Sequence, residues 1–139
     1  MPPSTPPATP ASSDLSRLTI LLVDDHEDSL QMMTEGLRFF GAAVFATRSA
    51  REALGHIVTV KFDVVITDLT MPEHGGHWLL QQTHAIPAGK GLPFIALSAH
   101  GADQTEAILA AGFAAHARKP IDPTAMALLV NRLLSSPKT

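Results

Sequence analysis

The sequence predicts an α/β fold, a doubly wound five-stranded parallel sheet with helices on both faces. Apolar runs of four or five residues, too short for helices, alternate with longer segments of helical period. This strand–helix unit recurs five times in a chain of 139 residues, which is the usual size of one domain. Such alternation favours parallel strands joined by right-handed helical crossovers.

The first unit is a strand at Thr19–Val23 followed by a helix. The strand is aliphatic and β-branched, which is typical of a strand that is covered on both faces. Apolar residues then recur every three or four positions over residues 30–40, so Asp28 or Ser29 is the predicted helix cap. Gly41 is the predicted stop of this helix.

The remaining units follow the same pattern. Further strands are predicted at residues 43–46, 62–67, 93–97 and 113–117. Ser49 and Glu52 form a capping box that opens the second helix. The third helix is predicted around residues 78–83 and the fourth at about 103–111. Asp122 and Pro123 are expected to begin the last helix.

Composition and charge exclude several classes of function. Ten basic and thirteen acidic side chains give a net charge of -3, without the basic block that direct nucleic-acid binding needs. The absence of cysteine excludes disulfides, thiolate zinc sites and cysteine nucleophiles. No apolar run approaches the roughly 20 residues of a membrane-spanning helix. The sequence also begins without a secretory signal pattern, so we expect a cytoplasmic protein with no membrane insertion.

Both ends of the chain are expected to lie outside the folded domain. Five of the eleven prolines fall within the first ten residues, a composition that buries too little apolar surface to repay chain ordering. We therefore predict a flexible proline-rich tail at 1–16, a folded domain at 17–136 and a short tail at 137–139.

Polar residues follow the predicted strands at their carboxyl ends. Asp24 and Asp25 follow the first strand, Asp68 the third and Ser98 the fourth, and the fifth strand runs into Lys119. In open parallel sheets ligands bind at this edge, so the five side chains should meet there. Three crowded carboxylates are not all expected to ionise unless a cation shares their site. Oxygen ligands favour Mg²⁺, or Mn²⁺.

The same set of side chains suggests phosphoryl transfer. The Lys119 ammonium group could hold a phosphoryl oxygen, and the Ser98 hydroxyl group could donate a hydrogen bond to another. Phosphoryl transfer depends mainly on positioning and on charge neutralisation, which such groups supply. An aspartate can be the nucleophile.

Four motifs in this order carry a family resemblance. They are Val23-Asp24-Asp25, Thr67-Asp68-Leu69-Thr70-Met71-Pro72, Leu97-Ser98-Ala99 and Lys119-Pro120. Over residues 18–134 the chain resembles the receiver domain of two-component response regulators. The resemblance implies a flavodoxin-like receiver fold and a function in signalling.

The resemblance also implies roles for the acidic residues. Asp68 would accept a phosphoryl group from a histidine kinase or a histidine phosphotransfer protein. Asp25 and Asp68, with the backbone carbonyl of Thr70, would bind Mg²⁺ directly, and Asp24 would act through metal-bound water. Such a protein is a signalling phosphoacceptor that catalyses only its own phosphorylation and dephosphorylation, rather than an enzyme with an outside substrate.

The remaining implied roles concern the response to phosphorylation. Lys119 would contact the phosphoryl group, and Ser98 would move to hydrogen-bond it. The change would reach the face of the fourth helix, fifth strand and fifth helix, where a downstream protein binds. Thr70 and His100 occupy positions that tune how fast water removes the phosphoryl group in this family. His116 stands where the family has Tyr or Phe, so it is either a modified, pH-sensitive switch or a half-exposed residue.

The segment after Pro72 also departs from the family pattern. His74, Gly75 and Gly76 stand where a hydrophobic residue, Asp and Gly are common. The extra glycine suggests a looser loop and a late start of the third helix. His74 and His77 alone have a helix-like spacing, so no histidine zinc site is predicted, because zinc needs three or four converging ligands.

Three alternatives stay open at this point. The fold could serve as a protein-interaction module that phosphorylation does not switch. A haloacid-dehalogenase-like phosphatase is disfavoured because Thr70 stands where that family needs a second aspartate. The chain could be an independent regulator or a piece of a hybrid histidine kinase.

Overall fold

The computed structural model describes residues 12–99 and 104–135, and within them strands and helices alternate along the chain. The strands are β1 (Thr19–Val23), β2 (Ala43–Thr47), β3 (Val64–Asp68), β4 (Phe94–Ser98) and β5 (Ala115–Arg118). The helices are α1 (Glu27–Phe39), α2 (Ala50–Thr59), α3 (Gly76–His84), α4 (Thr105–Ala110) and α5 (Pro123–Ser135), with a 3₁₀ turn at Pro87–Gly89.

The strands form one parallel sheet in the order β2-β1-β3-β4-β5. This confirms the doubly wound five-stranded parallel sheet that the sequence predicts. The direction of winding reverses between β1 and β3, so their carboxyl ends form the crevice where ligands bind in such sheets. The register pairs Val23 with Thr67, which brings the residues that follow β1 close to the end of β3.

Each face of the sheet is covered by its own helices. One core contains Leu30 and Leu37 of α1 together with Met126 and Val130 of α5. The other core contains buried residues of α2, α3 and α4, which are Ala50, Ala53, Ile57, Leu79, Leu80 and Ile108. The central strands β1, β3 and β4 are buried between these two layers, which explains why they are mostly apolar.

Several element boundaries differ from the prediction because polar residues take part in backbone pairing. β3 lies at Val64–Asp68 instead of 62–67, and β4 at Phe94–Ser98 instead of 93–97. β5 lies at Ala115–Arg118 instead of 113–117. In the ladder Asp68 pairs with Leu97 and Ser98 with Arg118. The apolar run in the sequence ends before these polar residues, but their backbone still pairs with the neighbouring strand.

The helix starts also differ in part. α1 begins at Glu27, with His26 as the N-cap, so the prediction of Asp28 or Ser29 as the cap is wrong. Glu27 and Asp28 instead lie in the first turn, where a negative charge interacts favourably with the helix dipole. The fourth helix is shorter than predicted, at Thr105–Ala110.

The predicted caps of the second and last helices are found. Ser49 Oγ accepts a hydrogen bond of 3.1 Å from the backbone N–H of Glu52. The Glu52 carboxylate accepts a hydrogen bond of 2.6 Å from the Thr47 hydroxyl group at the end of β2. Glu52 therefore bonds to β2 instead of to the backbone of Ser49, and only half of the predicted capping box forms. Asp122 Oδ1 accepts the N–H of Ala125 at 2.9 Å at the start of α5.

Residues 12–18, here called the N-terminal segment, pack against the domain. Leu15 is fully buried in the core that contains α1 and α5. Its N–H donates to the carbonyl oxygen of Phe40 at 2.8 Å, and Asn131 Nδ2 donates to the carbonyl oxygens of Ser12 and Asp14 at 2.8 and 2.9 Å. The predicted tail boundary at residue 16 is therefore too late. Residues 1–11 and 137–139 of the predicted tails lie outside the described residues.

A membrane-spanning helix, which must be both long and apolar, does not occur in the described part of the chain.

Candidate functional site

The three predicted carboxylates meet at the carboxyl ends of β1 and β3. Asp24 and Asp25 follow β1, and Asp68 is the last residue of β3. One oxygen of each carboxylate, together with a ring nitrogen of His26, forms a group whose atoms all lie within 4.8 Å of one another. The side chains of Asp24 and Asp68 are only 3% and 7% exposed. We call Asp24, Asp25 and Asp68 the acid cluster.

Lys119 directly follows β5 and contacts the acid cluster from that side of β3. Its Nζ lies 3.0 Å from Asp24 Oδ2 and 3.2 Å from Asp68 Oδ2. The Lys119 N–H donates to the carbonyl oxygen of Ser98 at 2.8 Å, which holds the residue at the end of β5. The N–H of Thr70 donates to Asp68 Oδ1 at 3.3 Å. Both oxygens of the Asp68 carboxylate therefore accept a hydrogen bond.

The surroundings shift the pKa values of the central pair. Burial raises the pKa of Asp68, and the charge and hydrogen bond of Lys119 offset this only in part. Burial alone would lower the pKa of Lys119, but hydrogen bonds and charges from Asp24 and Asp68 outweigh it and raise that pKa. The site thus holds a firmly protonated lysine beside a carboxylate that is unusually basic for an aspartate.

The acid cluster fits a divalent cation. Three carboxylates face one lysine ammonium group, so negative charge is in excess. Oδ1 of Asp25 is buried and has no hydrogen-bond partner among the described residues. A buried acceptor in that position needs a partner, and oxygen donors are the ligands that Mg²⁺ and Mn²⁺ prefer. The residues present therefore suit the ion that the sequence predicts.

The two predicted switch residues lie on neighbouring strands. Ser98 ends β4 and is buried, and His116 pairs with Ala96 in the register of β4 and β5. Nδ1 of His116 shares a hydrogen bond of 2.8 Å with the Thr105 hydroxyl of α4. Nε2 of His116 is buried, and no residue in the described ranges hydrogen-bonds it. His116 therefore ties α4 to the edge strand.

The loop before α3 is tightly packed, so the prediction of a looser loop is wrong. A Cβ atom at Gly75 would lie 2.2 Å from the carbonyl oxygen of Leu69, and one at Gly76 would lie 2.8 Å from that of Asp68. Both glycines let the chain pass against the backbone that carries Asp68. α3 begins at Gly76, two residues before the predicted start at Trp78.

The other predicted histidines lie elsewhere. His74 stacks on Trp78 with ring centroids 3.9 Å apart, and His77 meets the edge of Phe113 at 5.2 Å. Each of the two imidazoles therefore packs against an aromatic ring. His100 lies outside the described residues.

His26 lies at the site although no sequence pattern above indicates it. This residue directly follows the two aspartates at the end of β1, and its N–H donates to Asp24 Oδ1 at 3.0 Å. Its position beside the acid pair, at the point where the winding of the sheet reverses, is the signal that could have identified it.

A pocket of about 320 Å³ opens beside the acid cluster, between α1 and the connection from β5 to α5. Its lining includes Asp24 and Lys119, so it borders the cluster directly. The rest of its wall is mostly apolar and includes Leu30, Met32 and Ile121. Met32 is 52% exposed, which leaves apolar surface at the mouth of the pocket.

The family model that describes the response regulator receiver domain matches residues 20–131. Among solved structures, a putative response regulator from Chloroflexus aurantiacus is 30% identical, with a TM-score of 0.79 over 86% of this chain and 98% of that one. Chemotaxis response regulator CheY4 of Vibrio cholerae is 28% identical, with a TM-score of 0.76 over 84% of this chain and 98% of that one.

Curated relatives include both small and large proteins. An uncharacterized 14.6 kDa protein of Leptolyngbya boryana is 33% identical over 85% of this chain and 91% of its own length. Sensor histidine kinase GacS of Pseudomonas protegens is 35% identical over 80% of this chain, which spans 12% of the kinase. Virulence sensor protein BvgS of Bordetella bronchiseptica is 37% identical over 63% of this chain, which spans 7% of that protein. On the match to 20–131 and the shared fold, this chain belongs to the response regulator receiver domain family.

Proposed function

We propose that this receiver domain is switched by phosphorylation of Asp68, with a histidine kinase or a histidine phosphotransfer protein as the donor. The observation that carries the proposal is the buried Asp68 carboxylate, which lies 3.2 Å from Lys119 within the acid cluster. A basic carboxylate is a better nucleophile, and a fixed ammonium group beside it stabilises the charge on a phosphoryl group.

The chemistry follows from these positions. An oxygen of Asp68 attacks the phosphorus atom of the donor's phosphohistidine. The O–P bond forms as the N–P bond breaks, and the donor's imidazole leaves as the neutral ring because it takes up one proton from solvent. Lys119 Nζ, already 3.0 Å from Asp24, stays close enough to hold a phosphoryl oxygen. No outside substrate is turned over, so the domain acts as a signalling phosphoacceptor.

A divalent cation completes the proposed site. Asp25, Asp68 and the backbone carbonyl of Thr70 would hold Mg²⁺ or Mn²⁺, with Asp24 acting through bound water. When bound, the ion neutralises charge on the carboxylates and on the incoming phosphoryl group. The ion would also provide a partner for Oδ1 of Asp25, which is buried and has no hydrogen bond to the described residues. This lack of a hydrogen bond supports placing the ion there.

The proposed response involves Ser98 and His116. Ser98 would hydrogen-bond the phosphoryl group, and His116 would respond through its hydrogen bond to Thr105 of α4. The face formed by α4, β5 and α5 would then bind a downstream protein. Thr70 and His100 would set the lifetime of the phosphoryl group.

The acceptor is tested by labelling with a small phosphodonor in the presence of Mg²⁺. Intact mass measurement should show one added phosphoryl group on the wild type and none on Asp68→Asn. Asp28→Asn, which changes an exposed aspartate of α1, is the control and should label like the wild type. Equal labelling of Asp68→Asn and the wild type would overturn the assignment.

The donor protein is expected to dock over the pocket beside Lys119. Its phosphohistidine must reach Asp68, and exposed apolar surface at Met32 borders that approach. Met32→Asp should therefore slow phosphoryl transfer from the cognate histidine kinase or phosphotransfer protein by about tenfold or more, since an unpaired charge buried at an interface costs about 2 kcal/mol or more and tenfold corresponds to about 1.4 kcal/mol. Labelling by the small phosphodonor should stay unchanged. Unaltered transfer from the protein donor would exclude this docking surface.

A further inference from the structure

His26 lies directly over the acid cluster although packing does not confine its ring. Nδ1 is 3.2 Å from Asp24 Oδ1, 3.5 Å from Asp25 Oδ1 and 3.7 Å from Asp68 Oδ2. The side chain is 64% exposed, so its ring is positioned by the backbone of His26 together with the hydrogen bond between Nδ1 and Asp24 Oδ1. That backbone is fixed, because His26 is the N-cap of α1 and its N–H donates to Asp24.

His26 Nδ1 lies about as far from each of the three carboxylate oxygens as two ligands of one ion lie from each other. With metal–ligand bonds of about 2.1 Å, adjacent ligands are about 3.0 Å apart in octahedral and about 3.4 Å apart in tetrahedral geometry. The distances from His26 Nδ1 to the carboxylates, 3.2 to 3.7 Å, fall close to this range. One of the three oxygens, Asp25 Oδ1, is buried with no hydrogen-bond partner within residues 12–99 and 104–135.

The imidazole changes which ions the site favours. Carboxylate and carbonyl oxygens suit Mg²⁺, whereas an imidazole nitrogen suits divalent transition-metal ions. We propose that His26 Nδ1 is a metal ligand, so that this site binds a borderline transition-metal ion such as Co²⁺, Ni²⁺ or Zn²⁺ in preference to Mg²⁺. The inference rests on the proposed cation site at the acid cluster and adds a nitrogen ligand to it.

The test compares Co²⁺ with Mg²⁺ on the full chain without a histidine tag. Isothermal titration calorimetry gives the two affinities, and the visible absorption spectrum of bound Co²⁺ reports nitrogen ligation. His26→Ala should weaken Co²⁺ binding by at least about tenfold, the lower end of what losing a group around a metal costs, and should alter the Co²⁺ spectrum. Its Mg²⁺ affinity should change by less than about threefold, because Mg²⁺ gains little from imidazole.

His84→Ala is the matched control. His84 is exposed at the end of α3 and contacts the carbonyl oxygen of Leu92, so it lies near the opposite edge of the sheet. It should keep both affinities and the Co²⁺ spectrum of the wild type. An unchanged Co²⁺ affinity in His26→Ala, or an equal loss for both ions, would overturn the proposal.

The phosphodonor labelling of the wild type separates the two levels of inference. If Mg²⁺ supports labelling of Asp68 but His26→Ala leaves the Co²⁺ preference intact, the nitrogen ligand is wrong and the proposed function stands. If His26→Ala lowers Co²⁺ affinity alone but Asp68 is never labelled, the metal ligand stands and the proposed function is wrong.

Discussion

At the residue scale, the buried Asp68 carboxylate lowers the folding stability of the domain and raises its own reactivity. The carboxylate is almost fully buried, and it shares the site with the negative charge of Asp24. Burial raises its pKa even though Lys119 lies within hydrogen-bond distance. An ionised Asp68 therefore costs folding free energy at neutral pH, which a divalent cation or a phosphoryl group with its cation can return.

This predicts how the stability of Asp68→Asn depends on pH. Because the folded-state pKa of Asp68 lies above the ordinary value of 3.8, the folded wild type binds more protons than the unfolded chain just above that pH. The unfolding free energy of the wild type therefore falls as the pH rises from 3.8 through the folded-state pKa of Asp68. Asp68→Asn has no carboxylate at this position, so its unfolding free energy does not fall for this reason. In EDTA the variant should be more stable than the wild type at pH 7.

Urea unfolding at pH 7 and at pH values approaching 3.8 measures the difference. The advantage of Asp68→Asn should shrink as the pH falls, because Asp68 of the wild type becomes neutral. Added Mg²⁺ should stabilise the wild type more than the variant. A constant difference across this range would contradict the stated cause.

At the element scale, the connection from β3 to α3 is set by close backbone contact. Gly76 is the first residue of α3 and packs against the carbonyl oxygen of Asp68. A Cβ atom at this position would lie 2.8 Å from that oxygen. The helix can therefore begin close to the acceptor. A longer side chain would push the start of α3 away from the end of β3.

Gly76→Ala is predicted to destabilise the domain, whereas Gly55→Ala is predicted to stabilise it. The Cβ at residue 76 forces the backbone to shift, which typically costs about 1–3 kcal/mol. At Gly55, inside α2, no atom of the described residues lies within 4 Å of an added Cβ, so alanine should gain about 0.5–1 kcal/mol through helix propensity. Chemical denaturation measures both, and a destabilised Gly55→Ala together with a neutral Gly76→Ala would refute the packing argument.

At the scale of the whole molecule, the N-terminal segment closes the layer that α1 and α5 form. Leu15 is buried between them, and Asn131 of α5 holds the backbone of this segment by two hydrogen bonds. The matched family region begins at residue 20, so this segment lies outside it. The folded unit is thus larger than the family region.

Leu15→Ala should lower the unfolding free energy of the whole domain by about 2–5 kcal/mol, because it removes a fully buried side chain. Leu109→Ala, at a site that is 43% exposed on α4, should cost less than about 1 kcal/mol. Thermal and urea unfolding of both variants measure the contrast. A change below about 1 kcal/mol in Leu15→Ala would show that the segment does not support the core.

The sequence by itself determined the alternation of strands and helices, the parallel sheet, and the acidic and basic residues at its edge. These follow from local patterns, because apolar periodicity reports burial and strand ends in a parallel sheet converge. The predicted site residues Asp24, Asp25, Asp68 and Lys119 come together for that reason.

Only the tertiary structure decided the contacts between segments that are distant in sequence. The burial of Leu15 depends on α1 and α5, and the need for Gly75 depends on the carbonyl oxygen of Leu69. The contact between His26 and Asp68 depends on where β3 places Asp68. Such contacts have no periodic signature, because one residue meets one partner only after the layers have packed.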